Sequence, residues 1–182
     1  MTVEHPNPHD HDHVEGSADL ACAIAHGDMP APAGDRRLVA VFDSPVSREL
    51  AHFAAHVGYE VVVLEPSGAA GAGPFAVVTD AASAALDDRT DVVVTDHDRP
   101  ELGDVLAGVL RQSPRWVGVM GSPRHTAPHI QLLRDRGFGD DDIARVHRPI
   151  GLDIGSRSPA EIAVSTVAGL LADRNNRTGG AY

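Results

Sequence analysis

The sequence predicts a doubly wound α/β domain with a mainly parallel sheet, Rossmann-like in topology. Three observations lead there. Short apolar, Val-rich runs recur at residues 38–42 (LVAVF), 60–64 (EVVVL), 91–95 (DVVVT) and 116–120 (WVGVM), the size and composition of strands buried on both faces of a parallel sheet. Segments with helical apolar spacing alternate with them, as strand–helix–strand units require. Strand-to-helix junctions carry Ser-Pro pairs, at Ser44-Pro45, Ser122-Pro123 and Ser158-Pro159. Ser caps a helix, and Pro suits the first helical position, where its missing N–H is not needed.

Taken in order, residues 1–37 are rich in His, Asp, Pro, Ala and Gly and read as a flexible tail with one helical turn near residues 20–25. Its HPNPHDHDH stretch offers imidazoles and carboxylates to zinc or nickel, or is a solvated tail with no packing to fix a ligand geometry. The first strand is 38–42. Leu50, Phe53, Ala54 and Val57 mark the buried face of the next helix, which Gly58 ends. A second strand at 60–64 ends on Glu65-Pro66 and completes one strand–helix–strand unit, expected to be right-handed. SGAAGAGP at 67–74 is a loop. A weak third strand at 75–79 leads into a short helix through Leu86 capped by Asp80. The strand at 91–95 follows. Leu102, Val105, Leu106, Val109 and Leu110 then face the sheet from a helix that Ser113-Pro114 breaks.

Beyond the strand at 116–120, a helical turn is expected at Ser122-Pro123. Pro128 lies too deep for a helix beginning there, so either Thr126 is the true N-cap or the helix is kinked. Asp140-Asp141-Asp142 reads as the acidic first turn of a short helix through Arg145. A short strand at 146–150 precedes IGLDIG. Ser158-Pro159-Ala160-Glu161 is a capping box opening the last helix, whose apolar face is Ile162, Thr166, Val167, Leu170 and Leu171. Residues 38–173 form the domain, and residues 174–182 are expected to fray.

In such a sheet the ligand lies beyond the carboxyl ends of the strands. The candidate site residues follow from that edge. Glu65 ends the second strand, where an acidic residue reaches a ribose hydroxyl or is a solvated strand end. Asp96-His97-Asp98 follows the fourth strand; it could do acid–base work, bind an anion or metal, or be a hydrogen-bonded turn. Gly121 and Ser122 present backbone N–H groups and a helix end, with Arg124 beside them. Gly151, Asp153 and Gly155 form a Gly-spaced loop at the end of the last strand. The histidine pairs His52/His56 and His125/His129 have i, i+4 spacing that could chelate zinc. Neither has the glutamate of an H-E-x-x-H site, so packing or surface roles are expected and no metal site is assigned.

VGVMGS, DDIARVHRPIGLDIG and SPAEIAVSTVAGLLA resemble the C-terminal Rossmann-like domain of the XdhC/CoxI family, accessory proteins of xanthine dehydrogenase and related molybdenum hydroxylases. The PIGLDIG loop followed by a PxEIA helix start is the specific part, and the similarity extends back to about Leu38. The resemblance implies binding of molybdenum cofactor (molybdopterin), help with its sulfuration beside a cysteine desulfurase, and delivery to an apo-hydroxylase. On that reading Asp96, His97, Gly121, Ser122, Arg124, Gly151, Asp153 and Gly155 line one cleft. Arg124 meets an anionic group, and Asp153 accepts from pterin N–H donors or braces its loop.

Three departures bear on this. Family members commonly carry Gly-Ala-Gly at the first turn, where this chain has Asp43-Ser44-Pro45. A dinucleotide needs such glycines so that backbone can approach its pyrophosphate; NAD(P) binding is therefore doubted, and an accessory or chaperone role is favoured over a classical dehydrogenase. The family's basic helix after VGVMGS keeps only Arg124. The N-terminal domain with Gly-Gly-Cys and Gly-Ser-x-Pro motifs has no counterpart, so a stand-alone subunit beside a separate accessory partner is expected. The alternatives are an NAD(P)-binding oxidoreductase-like protein, or a non-catalytic partner with a degenerate nucleotide site.

Composition narrows the classes. The formal charge is −11 and every basic residue apart from histidine is Arg, which argues against non-specific nucleic-acid binding. The single cysteine, Cys22, precludes an internal disulfide. No apolar run approaches the ~18 residues of a transmembrane helix, and no signal-peptide core is present. A cytoplasmic protein without membrane contact is expected. The last helix or a sheet edge leaves a homodimer possible.

Overall fold

The computed structural model describes residues 22–29, 35–69, 71, 73–122 and 127–180. The chain divides into two units, Met1–Ala33 and Gly34–Tyr182. In the first, residues 22–25 form a helical turn; the HPNPHDHDH stretch lies outside the described residues. All that follows concerns the second unit.

Six parallel strands make its sheet: β1 (Arg36–Val41), β2 (Tyr59–Leu64), β3 (Ala76–Val78), β4 (Thr90–Val94), β5 (Trp116–Val119) and β6 (Val146–His147). Their order is β3-β2-β1-β4-β5-β6, which is the doubly wound dinucleotide-fold order with its switch point between β1 and β4. The helices are α1 (Pro45–His56), α2 (Leu102–Arg111), α3 (Pro128–Arg134), α4 (Asp140–Ile143) and α5 (Pro159–Arg174).

Strand alternation divides the core. Val39, Val41, Val62, Leu64, Val92 and Val94 point to one face, under α2 and with Leu133 and Ile143. Leu38, Ala40, Val61 and Val93 point to the other, with Leu50 and Ala54 of α1 and Ala163, Val167 and Leu170 of α5. Two buried faces explain why the strands read as unbroken apolar runs rather than as alternating patterns. Both long capping boxes form. The Ser44 and Ser158 hydroxyls accept from the N–H groups of Ser47 and Glu161, and each N3 side chain accepts in return from the cap N–H. No helix among the described residues is long and apolar enough to cross a membrane.

Two expected elements differ. The short helix through Leu86 is a run of turns, with the Asp80 carboxylate accepting from Ser83 N–H at 2.8 Å. Gln112 of the α2 C-terminus explains it: its amide donates to Ala81 O at 2.6 Å and accepts from Leu86 N–H at 3.3 Å, so partners from α2 replace helical ones. The helix expected at Ser122-Pro123 falls on residues 123–126, outside the described residues, as does Thr126. The helix that is described starts at Pro128, which takes a first-turn position after an Ala127 N-cap. At the other end, Arg177 N–H donates to Ala172 O at 2.8 Å.

Candidate functional site

The carboxyl edge has two halves. At the switch point, the end of β1 is closed by its own side chains. Phe42 is fully buried and left-handed, with φ of 69°, a conformation glycine adopts without cost. Arg99 lies over its ring at 4.8 Å. Ser44 Oγ and Thr95 Oγ1 stand 3.0 Å apart across the crevice between β1 and β4. A consistent relay runs from Ser47 N–H to Ser44, from Ser44 to Thr95, and from Thr95 to the Val41 carbonyl at 2.9 Å.

Glu65 belongs to the same closure. It is 2 % exposed. Its carboxylate accepts from Asp43 N–H at 2.9 Å, Ser67 N–H at 3.1 Å and the Ser67 hydroxyl at 2.9 Å, and Arg99 grips both oxygens at 3.0 and 3.2 Å. Burial alone would raise its pKa; Arg99 and the N–H and hydroxyl donors of Asp43 and Ser67 overcome that and hold it at about 2. Asp43 is similarly engaged: Arg48 binds both its oxygens at 2.8 and 2.9 Å, and Gly71 N–H donates at 2.6 Å. The Arg48 hydrogen bonds, working against burial, lower its pKa. A ribose or pyrophosphate here would have to displace these partners.

The other half is the row of loops after β4, β5 and β6. Pairing of Val94 with Val119 and of Gly118 with His147 sets these loops side by side. Asp96 accepts from Asp98 N–H at 3.0 Å, which is the hydrogen-bonded turn foreseen as one reading of Asp96-His97-Asp98. His97 is half-buried, 3.8 Å from the Asp98 carboxylate. At the end of β5, Gly121 lacks a side chain where a Cβ would overlap the Arg148 guanidinium. Arg148 precedes Pro149 through a cis peptide bond, and its guanidinium lies 3.5 Å from the Ser122 carbonyl. Buried His129 stands nearby, its pKa lowered by burial and by the Arg148 charge. Arg124 and His125 lie outside the described residues, so the cation that the structure shows at Gly121 is Arg148. Sequence reasoning passed over it, although it adjoins the PIGLDIG loop.

That loop reaches toward α5. Gly151 has φ of 84°, and an added Cβ would come within 2.6 Å of Ser165 Oγ. Leu152 N–H donates to Ser165 O at 3.2 Å, and the Ser165 hydroxyl donates to Leu152 O at 2.6 Å. Gly151 is thus a docking residue whose bare face meets α5. Asp153, Ile154 and Gly155 beyond it are exposed. Asp96, Gly121 and Gly151 therefore share one edge in strand order, with Gly121 and Arg148 in direct apposition. A cleft of about 600 Å3 lies elsewhere, along α2, and none of the sequence-derived site residues lines it.

Of the two histidine pairs, His125 lies outside the described residues, and the His52/His56 pair has other contacts. His56 Nδ1 lies 2.8 Å from the His52 carbonyl, and His52 meets the edge of Phe75. Among the described residues no cluster of His, Cys, Asp and Glu could hold a metal ion.

The model of the XdhC Rossmann domain matches residues 38–170. The chain belongs to the XdhC family. Among its relatives, the XdhC-family chain is 30 % identical over 177 residues to the uncharacterized protein YqeB of Escherichia coli K12, covering 91 % of this chain and 31 % of YqeB. It is 27 % identical over 93 residues to PaoD of the same organism, a molybdenum cofactor insertion chaperone, covering 51 % of this chain and 29 % of PaoD. A crystal structure from Bacillus halodurans, described as a xanthine dehydrogenase, superposes with a TM-score of 0.61 at 25 % identity, over 78 % of this chain and 45 % of that one. The XdhC-family chain thus spans about a third of the length of these curated relatives.

Proposed function

We propose that this chain is an accessory protein of a molybdenum hydroxylase of the xanthine dehydrogenase type, holding molybdenum cofactor as cargo on the β4–β5–β6 half of the carboxyl edge. The observation that carries the reading is kinship with PaoD, a molybdenum cofactor insertion chaperone, within the XdhC family. The geometry supports a place for the cargo. Its phosphate is an anion, and a planar guanidinium against a bare glycine backbone is suited to one. Its pterin edge carries N–H donors, and the exposed Asp153 carboxylate can accept from them. Arg124, Ser122, His97, Asp96 and Gly155 are assigned to the same rim.

Sulfuration is assigned to a cysteine desulfurase and final delivery to contact with the apo-hydroxylase. Cys22, exposed and in the first unit, is given no sulfur-carrying role. The dinucleotide alternative draws less support, because Glu65 and the β1 turn already have internal partners.

Native mass spectrometry of protein expressed in a host that makes molybdenum cofactor tests the reading. A bound species containing molybdenum and a pterin is the expected result. Cofactor-free protein, from a host in which PaoD loads, would overturn it; saturable quenching of NAD(P)H fluorescence would move the reading to the dinucleotide.

A further inference from the structure

The cleft along α2 has the dimensions and charge of a helix seat. It holds about 600 Å3 and runs the length of α2, from Glu101 to Gln112. Its cause is visible in the topology. A connection between neighbouring units of a doubly wound sheet usually carries a helix, yet residues 79–89 contribute only turns. Ala81, Ala84 and Leu86 seal the core over that part of the sheet, but a place beside α2 stays open. Small residues line it, Ala81, Ala82 and Gly108 among them, with Val105. Such a lining lets a second helix axis approach to the ~8–10 Å of ordinary helix packing.

The two ends of the cleft differ in charge. Glu101 and Asp104 lie at the end where α2 begins, and Arg111 lies in its last turn; Asp80 also lines the cleft. Glu101 pairs with Arg99 at 3.2 Å and Asp104 with Arg136 at 2.8 Å, while the Asp104 side chain remains 78 % exposed. Asp80 has no cationic partner, and Arg111 no carboxylate partner, among the described residues; Arg111 lies over the Phe138 ring. A helix lying in the direction of α2 sets its positive N-terminal end at the carboxylates and its negative C-terminal end beside Arg111. The reverse direction sets like against like.

We propose that this cleft docks one amphipathic helix of a partner protein, parallel to α2, with small and aliphatic residues on its buried face, basic residues in its first turn and acidic residues in its last. The seat is separate from the Gly121 rim and does not depend on what that rim binds.

Fluorescence anisotropy with two labelled peptides of about four helical turns tests it. One carries Lys in the first turn and Glu in the last around an Ala/Leu face; its twin has the charges exchanged. The first should bind saturably and at least about ten-fold tighter than the twin, since charge complementarity sets orientation. Ala82→Trp, on an exposed position of the cleft, should weaken binding about ten-fold or more by filling the seat. Arg111→Glu should narrow the preference between the peptides, a readout that loss of folding does not mimic. Absent or equal binding of the two peptides, or indifference to Ala82→Trp, overturns the proposal. A dimer of the full chain that Ala82→Trp dissolves overturns it as well, by making the occupant a second copy.

Discussion

Asp91 and Arg174, 83 residues apart in sequence, meet at 2.8 Å and join the start of β4 to the end of the last helix. Asp91 is fully buried, and it also accepts from Arg115 Nε at 2.6 Å and from the Tyr59 hydroxyl at 3.0 Å. Arg174 stacks over the Tyr59 ring at 5.2 Å and donates to the Arg89 carbonyl. Burial, then the Asp91 charge, pushes the Tyr59 pKa above its ordinary value, so the phenol remains a donor. This knot lies at the amino ends of the strands, away from the candidate site.

Removing the Asp91 carboxylate leaves two guanidinium groups and a phenol without their shared acceptor. Asp91→Ala is expected to cost about 3–5 kcal/mol, the range for breaking a buried pair from one side. Urea unfolding at neutral pH measures it. A loss within about 0.5 kcal/mol, typical of an ordinary surface change, would show the knot to be incidental.

Glu65 should make stability depend on pH. Its folded pKa of about 2 lies below the ordinary value of 4.5. The unfolded state therefore binds the proton more readily. The stabilisation is complete above about pH 5 and is lost as pH falls toward 2, amounting to roughly 3 kcal/mol. The difference between wild type and Glu65→Gln in urea midpoints, followed from about pH 6 down to about pH 2.5, isolates it. The difference should shrink with acid; a constant difference would contradict the assignment.

Gly151 tests the seating of the PIGLDIG loop. Its φ of 84° and the approach of Ser165 both oppose a side chain. Gly151→Ala should destabilise by more than about 1 kcal/mol, whereas Gly155→Ala, with φ of 69° but open space around it, should cost only the backbone strain, about 1 kcal/mol. Equal losses in thermal unfolding would remove α5 from the account of Gly151.

The strands, the Ser44 cap, the Ser158 capping box and the final helix were legible in the sequence because local signals agreed with tertiary burial. The Asp80–Leu86 segment was not, because the Gln112 side chain, distant in sequence, takes the Ala81 carbonyl and Leu86 N–H. Pro128 carries the signal of a first helical position, where the structure starts its helix. At the site, Glu65 was found by position, but its occupant, Arg99, was not, since nothing local links residues 34 apart. Arg148 was hidden for the same reason: its meaning comes from the bare backbone of Gly121, contributed by the neighbouring strand.

Gly121 and Arg148 form the testable centre of the site. Gly121→Ala would push the guanidinium aside, because the overlap is with a flexible side chain. The Gly121 φ of 156° adds backbone strain of about 1 kcal/mol, and the displaced guanidinium should weaken an anionic ligand. Inorganic phosphate or pyrophosphate titrated against both proteins by calorimetry checks the direction; unaltered affinity would separate the glycine from ligand binding.

Molybdenum content decides the central claim. Wild type, Arg148→Ala and Arg48→Ala should be purified side by side from a molybdenum-cofactor-producing host and their metal and pterin measured at equal protein concentration. Arg48 is the control, a cation on the closed half paired with Asp43. Arg148→Ala should lose about 1.5–3 kcal/mol of cargo affinity, the value of a hydrogen bond to a charged group, and emerge depleted, while Arg48→Ala loads like wild type. Equal loading of all three proteins, or depletion of Arg48→Ala alone, would contradict a site on the β4–β5–β6 half.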